Sequence, residues 1–252
     1  MLRVLNPSDD EAKQTVVSKY NLSCGLPIAS IQQLVVKENH RVTPYLFLEG
    51  GSLPTDLFLL AQLAQREEVN TYFEIGTWRG ESVMNVAPFV QKAYTLNLTN
   101  EEMIRRGANP QYVAQSGMLL HNKSGQVEQL YGDSLSFDFT PWYQSCDLIF
   151  IDGDHHYSTV VSDSKNALKL RRSQNSVIVW HDYGYSPEEI RWEILQAILD
   201  AVPTQEHPFL YHIAHTKCAI LTRLPLTAAH RPRPMKPDTI FEIDWVMKPL
   251  KS

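Results

Sequence analysis

The chain has 252 residues, 43% of them hydrophobic and 20% charged, with a formal net charge of -5. This is ordinary globular composition, sufficient for one large α/β domain or two small ones whose core needs neither disulfides nor a structural metal. It excludes the concentrated basic face that nucleic-acid binding requires, since Arg223, Arg231, Arg233 and Lys236 near the C-terminal end are few and interleaved with prolines.

Cys24, Cys146 and Cys218 are odd in number and lack zinc-ligand spacing, so they are expected to be buried free thiols in a reducing compartment. The opening MLRVLNPSDDEAK lacks the basic-then-apolar order of a signal peptide. The longest apolar stretch, 53–64, is interrupted by Asp56 and Gln62 and is too short to span a bilayer. Together these features predict a cytoplasmic protein with no membrane and no nucleic-acid partner.

Residues 1–52 are poorly periodic: 8–20 can open a helix, and IQQLVV (31–36) fits a short strand or a helix equally well. After Gly50 and Gly51, SLPTDLFLLAQLAQREE reads as an amphipathic helix ending near Val69. TYFEIG (71–76) is an apolar run ending in glycine, as a buried parallel strand should be, and ESVMNVAPFVQ continues as a helix. AYTLNL (93–98), VEQLYGD (127–133), CDLIFIDGD (146–154) and SVIVWHDY (176–183) are further strands, and STVVSDSKNALKLRR is a helix between the last two. SPEEIRWEILQAILDAV is predicted as one helix with Pro187 in its first turn. FLYHIAH and KCAILTRL form an antiparallel hairpin, the Pro-rich segment that follows is extended, and IFEIDWVM adds an edge strand or packs elsewhere. The order predicts an α/β fold: a mainly parallel seven-stranded sheet with helices on both faces and a C-terminal antiparallel β-hairpin. Residues 1–52 form an N-terminal cap or extension, 53–224 the main domain and 225–252 a Pro-rich tail.

Ligands of such sheets bind beyond the carboxyl ends of the strands. The first strand ends in Glu74-Ile75-Gly76-Thr77-Trp78-Arg79-Gly80, followed by Glu81 and Ser82. Gly76 allows a tight turn, and Gly80 allows backbone to approach a ligand. The dinucleotide fingerprint G-x-G-x-x-G and the Walker lysine are absent. A plain strand-to-helix turn explains the glycine pair equally well. The third strand ends in Gly132-Asp133-Ser134, where the acid can accept from an exocyclic amine or simply cap a helix. The fourth ends in Asp152-Gly153-Asp154-His155-His156-Tyr157 and the fifth in His181-Asp182-Tyr183. Neighbouring strand ends lie about 5 Å apart, so Asp152, His181 and Asp182 can converge on a divalent cation or form a hydrogen-bonded network without one.

The segments FEIGTWRGES, YGDS, FIDGDHHYSTVVSD and VIVWHDYG, in that order, resemble the class I S-adenosylmethionine-dependent methyltransferases, whose fold is Rossmann-like. The resemblance covers about residues 55–222 and is strongest to the small-molecule (sugar and natural-product) O-methyltransferases, including metal-dependent members. It implies methyl transfer from S-adenosylmethionine to a small-molecule acceptor, at a hydroxyl oxygen, with or without help from a divalent cation such as magnesium. By position it implies a cofactor set of Glu74, Gly76, Thr77, Gly80, Ser82, Asn97, Gly132, Asp133, Ser134 and Asp152. Asp152, His181 and Asp182 match the metal positions, and Asp154, His155 and His181 are the candidate catalytic groups, with Asp154 at the proposed general base. Two residues depart from the family pattern. Asn97 stands where an acid usually holds the ribose hydroxyls, and His181 stands where metal-dependent members carry an acid. The alternatives are a Rossmann-like S-adenosylmethionine-binding module without turnover, and a GDSL-type esterase read from Gly132-Asp133-Ser134-Leu135 with Asp152-x-x-His155. The acceptor's identity and any homo-oligomer stay open.

Overall fold

The computed structural model describes residues 7–122, 125–231 and 233–250. Helix α1 (Pro7–Tyr20) and strand β1 (Ile28–Ala29) precede α2 (Pro54–Ala64). Then come β2 (Thr71–Ile75), α3 (Glu81–Val86), β3 (Lys92–Asn97), the short helices α4 (Asn100–Arg105) and α5 (Pro110–Val113), and β4 (Val127–Tyr131). Strand β5 (Leu148–Ile151), α6 (Tyr157–Leu170) and β6 (Val177–Trp180) follow. The chain continues through β7 (Gly184–Ser186), β8 (Glu189–Ile190), α7 (Trp192–Ala201), β9 (Leu210–Ile213), β10 (Ala219–Leu221) and β11 (Ala228–Ala229).

The main sheet has the order β11-β1-β9-β10-β6-β5-β2-β3-β4. Strands β4, β3, β2, β5 and β6 pair in parallel, and β10 runs antiparallel between β6 and β9. The predicted seven-stranded sheet is therefore present, and two two-residue strands, β1 and β11, extend its β9 edge. The core strands are apolar on alternate sides: Phe73, Ile75, Ile149 and Ile151 pack with one cluster, and Tyr72, Leu148 and Phe150 with the other. Both faces are thus buried, which accounts for the uninterrupted apolar runs in the sequence.

The chain winds outward from β2 to β4 and then returns to lay β5 on the other side of β2. That reversal opens the strand-end crevice where ligands of such sheets bind.

One open local reading is settled and others change. Residues 184–190 form the small β7–β8 hairpin with Pro187 in its turn, and α7 begins only at Trp192. The backbone N–H of Arg191 donates to the Tyr183 carbonyl, which closes the hairpin instead of starting a helix. IQQL (31–34) is a 3-10 helix capped by the Ser30 hydroxyl. IFEIDWVM (240–247) takes no regular structure, and every one of its residues is exposed. Of the cysteines, Cys146 and Cys218 are buried free thiols as expected, while Cys24 is exposed.

Candidate functional site

The turn after β2 is fixed by backbone contact. Gly76 has φ +103, and a Cβ there would lie 2.0 Å from the Asp152 carbonyl oxygen at the end of β5. Only glycine fits where the two strand ends meet. Gly80, at φ +92, caps α3, and a Cβ there would meet Leu120 at 3.1 Å. Glu74 points inward and is fully buried. Its Oε2 accepts from Tyr72 Oη and Ser82 Oγ, both at 2.7 Å, and its Oε1 accepts from Thr95 Oγ1 at 2.6 Å. Burial pushes this carboxyl up to about 7 against the three hydroxyl donors. Thr77 joins the group through Thr95, 2.6 Å away. Glu74, Thr77 and Ser82 thus brace the turn from beneath, with Gly76 half-buried at its start and Gly80 buried against Leu120 at its end.

Asn97 and Asp133 lie on adjacent strand ends, joined by a hydrogen bond from the Gly132 N–H to the Asn97 carbonyl at 2.9 Å. The Asn97 amide donates to Ser116 Oγ at 3.0 Å and to the Leu98 carbonyl at 3.3 Å. Asp133 accepts from the Leu135 N–H at 3.0 Å and from Arg106 at 2.7 Å, and the guanidinium holds its carboxyl below the usual range. Ser134, the serine of the esterase-like pattern, has no histidine partner among the described residues. Beneath it on α6, Asp163 is buried, and among the described residues neither of its carboxylate oxygens meets a hydrogen-bond partner. Burial pushes Asp163 up to about 7, with the nearby Ser134 hydroxyl opposing the rise.

The ends of β5 and β6 carry a charged cluster. His181 is buried, with Nδ1 2.9 Å from Asp152 Oδ1 and Nε2 3.1 Å from Asp56 Oδ2. Burial opposes its charge, but Asp152, Asp182 and Asp56 outweigh it and hold the ring as imidazolium. Both ring nitrogens then donate, which leaves none for a metal or for accepting a proton. Asp182, at φ +53, accepts from Lys217 Nζ on Oδ1 at 2.8 Å, and His155 Nε2 lies 3.0 Å from its Oδ2. Burial raises the Asp182 carboxyl, yet His181, His155 and Lys217 together hold it far below the usual range. Asp154 turns away from this cluster: Oδ1 meets His156 Nδ1 at 2.5 Å and Oδ2 accepts from Thr159 Oγ1 at 3.2 Å. Burial raises Asp154, but His156 outweighs it and keeps the carboxyl low.

The structure therefore gathers Asp152, His181 and Asp182 as the sequence predicts, with His181 as a charged centrepiece. The ligand atoms that come within 4.8 Å of one another belong to Asp152, His155 and Asp182. Sequence reasoning missed Asp56 and Lys217, which reach the cluster from α2 and from the β9–β10 turn. Asp56 reads in sequence as a helix-start acid, and it does accept the Leu53 N–H at 2.7 Å. Lys217 carries no motif; its only signal is its place in the hairpin turn. The 43–49 segment was likewise unread: Leu46 N–H donates to Glu81 at 2.7 Å, and Arg79 donates to the Glu49 carbonyl at 3.0 Å, which draws it over the glycine turn.

Among the described residues no helix is long and apolar enough to cross a membrane. The family model for a methyltransferase domain matches residues 73–183. No curated protein matches. Among solved structures, the chain is similar to an O-methyltransferase from Bacillus cereus in complex with S-adenosylhomocysteine, at 17% identity over 91% of this chain and 93% of that one, TM-score 0.48. It is also similar to CalS10, an amino pentose methyltransferase from Micromonospora echinaspora, at 15% identity over 57% of this chain and 58% of that one, TM-score 0.38. The YcgJ protein of Bacillus subtilis is 17% identical over 50% of this chain and 49% of that one, TM-score 0.37, so the chain spans about half that protein's length. Likenesses this distant add no weight to the functional argument, which stands on the residues and the family match.

Proposed function

We propose that residues 73–183, which match the family model for a methyltransferase domain, form a class I methyltransferase domain with S-adenosylmethionine as its methyl donor, and that the chain methylates a hydroxyl oxygen of a small-molecule acceptor with His155 as general base. The strand-end residues fit the donor. The bare backbone at Gly76 and Gly80 suits its methionine part, Asn97 its ribose, and Gly132 to Ser134 its adenine. Asp152 borders the same crevice through its contact with Gly76. Bound there, the donor supplies an electrophilic methyl group on a good leaving group, so the protein's task is alignment and proton removal.

The observation that carries the reading is the His155–Asp182 pair at 3.0 Å, with the His155 side chain 39% exposed and Asp182 only 14%. We assign Nδ1 as the acceptor of the hydroxyl proton, with the Asp182 carboxylate beside Nε2 favouring the tautomer that carries its proton there. With the donor bound, the acceptor oxygen so freed of its proton would take the methyl group, the carbon–sulfur electron pair staying on sulfur. Asp154 and His181, the other candidate bases, are engaged with His156 and with Asp56 and Asp152.

A divalent cation does not fit this arrangement. Asp182 already meets Lys217 at 2.8 Å and Arg191 at 3.7 Å, and Asp152 meets the His181 ring at 2.9 Å.

The test is methyl transfer from labelled S-adenosylmethionine to a panel of hydroxylated small molecules. His155→Gln is expected to slow transfer by ~10²–10⁴-fold while S-adenosylhomocysteine binds unchanged. Asp154→Ala is expected to change the rate by less than about threefold, as for a residue outside the proton path. Full activity of His155→Gln would remove that base from the mechanism.

A further inference from the structure

Asp152, His155 and Asp182 offer one ligand atom each, all within 4.8 Å of one another. Taken alone, such a set suits a divalent ion. Lys217 stands against it. Its Nζ lies 2.8 Å from Asp182 Oδ1, and its side chain is only 16% exposed. The turn that carries Lys217 is anchored, since the Lys217 N–H donates to Asp56 Oδ1 at 2.8 Å. The same Asp56 side chain receives His181 and the Leu53 N–H through Oδ2. Helix α2, the end of β6 and the β9–β10 turn are therefore pinned together by one carboxylate.

We propose that Lys217 is the built-in cation of this site, its ammonium supplying the charge that a divalent ion would bring to Asp152, His155 and Asp182 and keeping such an ion out. The balance of charge supports this. Three carboxylates, Asp56, Asp152 and Asp182, face His181, Lys217 and Arg191, whose guanidinium is 3.7 Å from Asp182. The charges already cancel, and adding a doubly charged ion would leave a large positive excess in a half-buried space, where such an excess is costly. Burial works against the ammonium of Lys217, but Asp182, Asp56 and Asp152 outweigh it and keep it protonated.

The role also accounts for the cluster's unusual composition. A carboxylate set held by a bound metal needs no further cation beside it, whereas one that carries its own cation needs it held in place, as Lys217 is. The consequence for methyl transfer rests on the function proposed above; the test does not, because it needs neither donor nor acceptor.

Binding of Mn²⁺ is measured by electron paramagnetic resonance on the full chain, as wild type, Lys217→Met, Lys217→Arg and Lys217→Met/Asp182→Asn. Wild type and Lys217→Arg are expected to leave Mn²⁺ free. Lys217→Met is expected to bind it more than about tenfold more tightly, since a like charge within a few ångströms has been removed, and the added Asp182→Asn should abolish that gain. Lys217→Gln replaces Lys217→Met if the latter does not fold. Mn²⁺ bound by wild type as tightly as by Lys217→Met would overturn the proposal, as would a gain that survives Asp182→Asn. Failure of the methyltransferase reading shows separately, as absence of S-adenosylhomocysteine binding in the same wild-type preparation.

Discussion

Beneath the glycine turn, one buried carboxyl, Glu74, is surrounded by neutral hydroxyls from Tyr72, Ser82 and Thr95, all within 21 positions of it in the chain. At the ends of β5 and β6, carboxylates meet cations, and the partners come from far apart: Asp56 lies 125 positions from His181 and 161 from Lys217. The first region is assembled by a strand, its turn and the next strand. The second exists only after α2, β6 and the β9–β10 turn have docked. Damage to the first should act through backbone fit, and damage to the second through charge left uncompensated.

The largest effect expected is in the first region. Gly76→Ala places a Cβ against the Asp152 carbonyl in a left-handed backbone, so a loss of more than about 4 kcal/mol is expected in chemical denaturation. A loss below about 1 kcal/mol would show that the β2 and β5 ends are not in contact and would dissolve the contrast.

Next is Asp56→Ala in the second region. It strands the His181 imidazolium and frees the Lys217 turn, and breaking a buried pair from one side costs about 3–5 kcal/mol. Denaturation at neutral pH reads it. A cost no larger than that of an ordinary surface substitution would mean that His181 is neutral and the cluster uncharged.

A titration sharpens the comparison, because Asp163 and Glu74 both sit at about 7 in the fold. An unfolded aspartate titrates near about 3.9. The folded state therefore holds the Asp163 proton more tightly, and the associated stability is full below the unfolded value and lost as pH rises through 7. Asp163→Asn cannot ionise, so it should match wild type near pH 4 and exceed it by about 1–3 kcal/mol near pH 8. Equal stability of the two proteins across that range would mean that Asp163 has found a partner.

The smallest effect expected is at the proposed ribose contact. Asn97→Asp should tighten S-adenosylhomocysteine binding by about three- to tenfold, since a charge-assisted hydrogen bond is the stronger kind. Weaker binding in calorimetry would show that the Asn97 amide is needed where it stands, on Ser116 and Leu98.

The same contrast explains what the sequence disclosed. Strands β2, β5 and β6 were legible because both faces of the sheet are covered there, which makes each a dense apolar run ending in polar residues. Gly76, Asp152 and His181-Asp182 were found because each directly follows such a run, and Gly80 and Asp133 because each lies in the turn after a strand. Pro187 misled because a proline near the start of an amphipathic run suits a helix, while the Tyr183–Arg191 hydrogen bond that closes the hairpin depends on tertiary placement. The functional order within the cluster was not legible. Asp154 and His155 are adjacent, and nothing local reveals that one turns to His156 and the other to Asp182. Asp56 and Lys217 belong to a helix start and a hairpin turn, and only the folded sheet brings them to His181 and Asp182.

The central claim is that the strand-end crevice binds S-adenosylmethionine, and the most direct measurement is calorimetry of the wild-type chain with S-adenosylhomocysteine, beside a melting curve. The account predicts one saturable site and a raised Tm, because a ligand of the native state stabilises it by mass action, with both signals lost in Gly80→Val. No heat of binding and an unchanged melting curve at saturating ligand would contradict it.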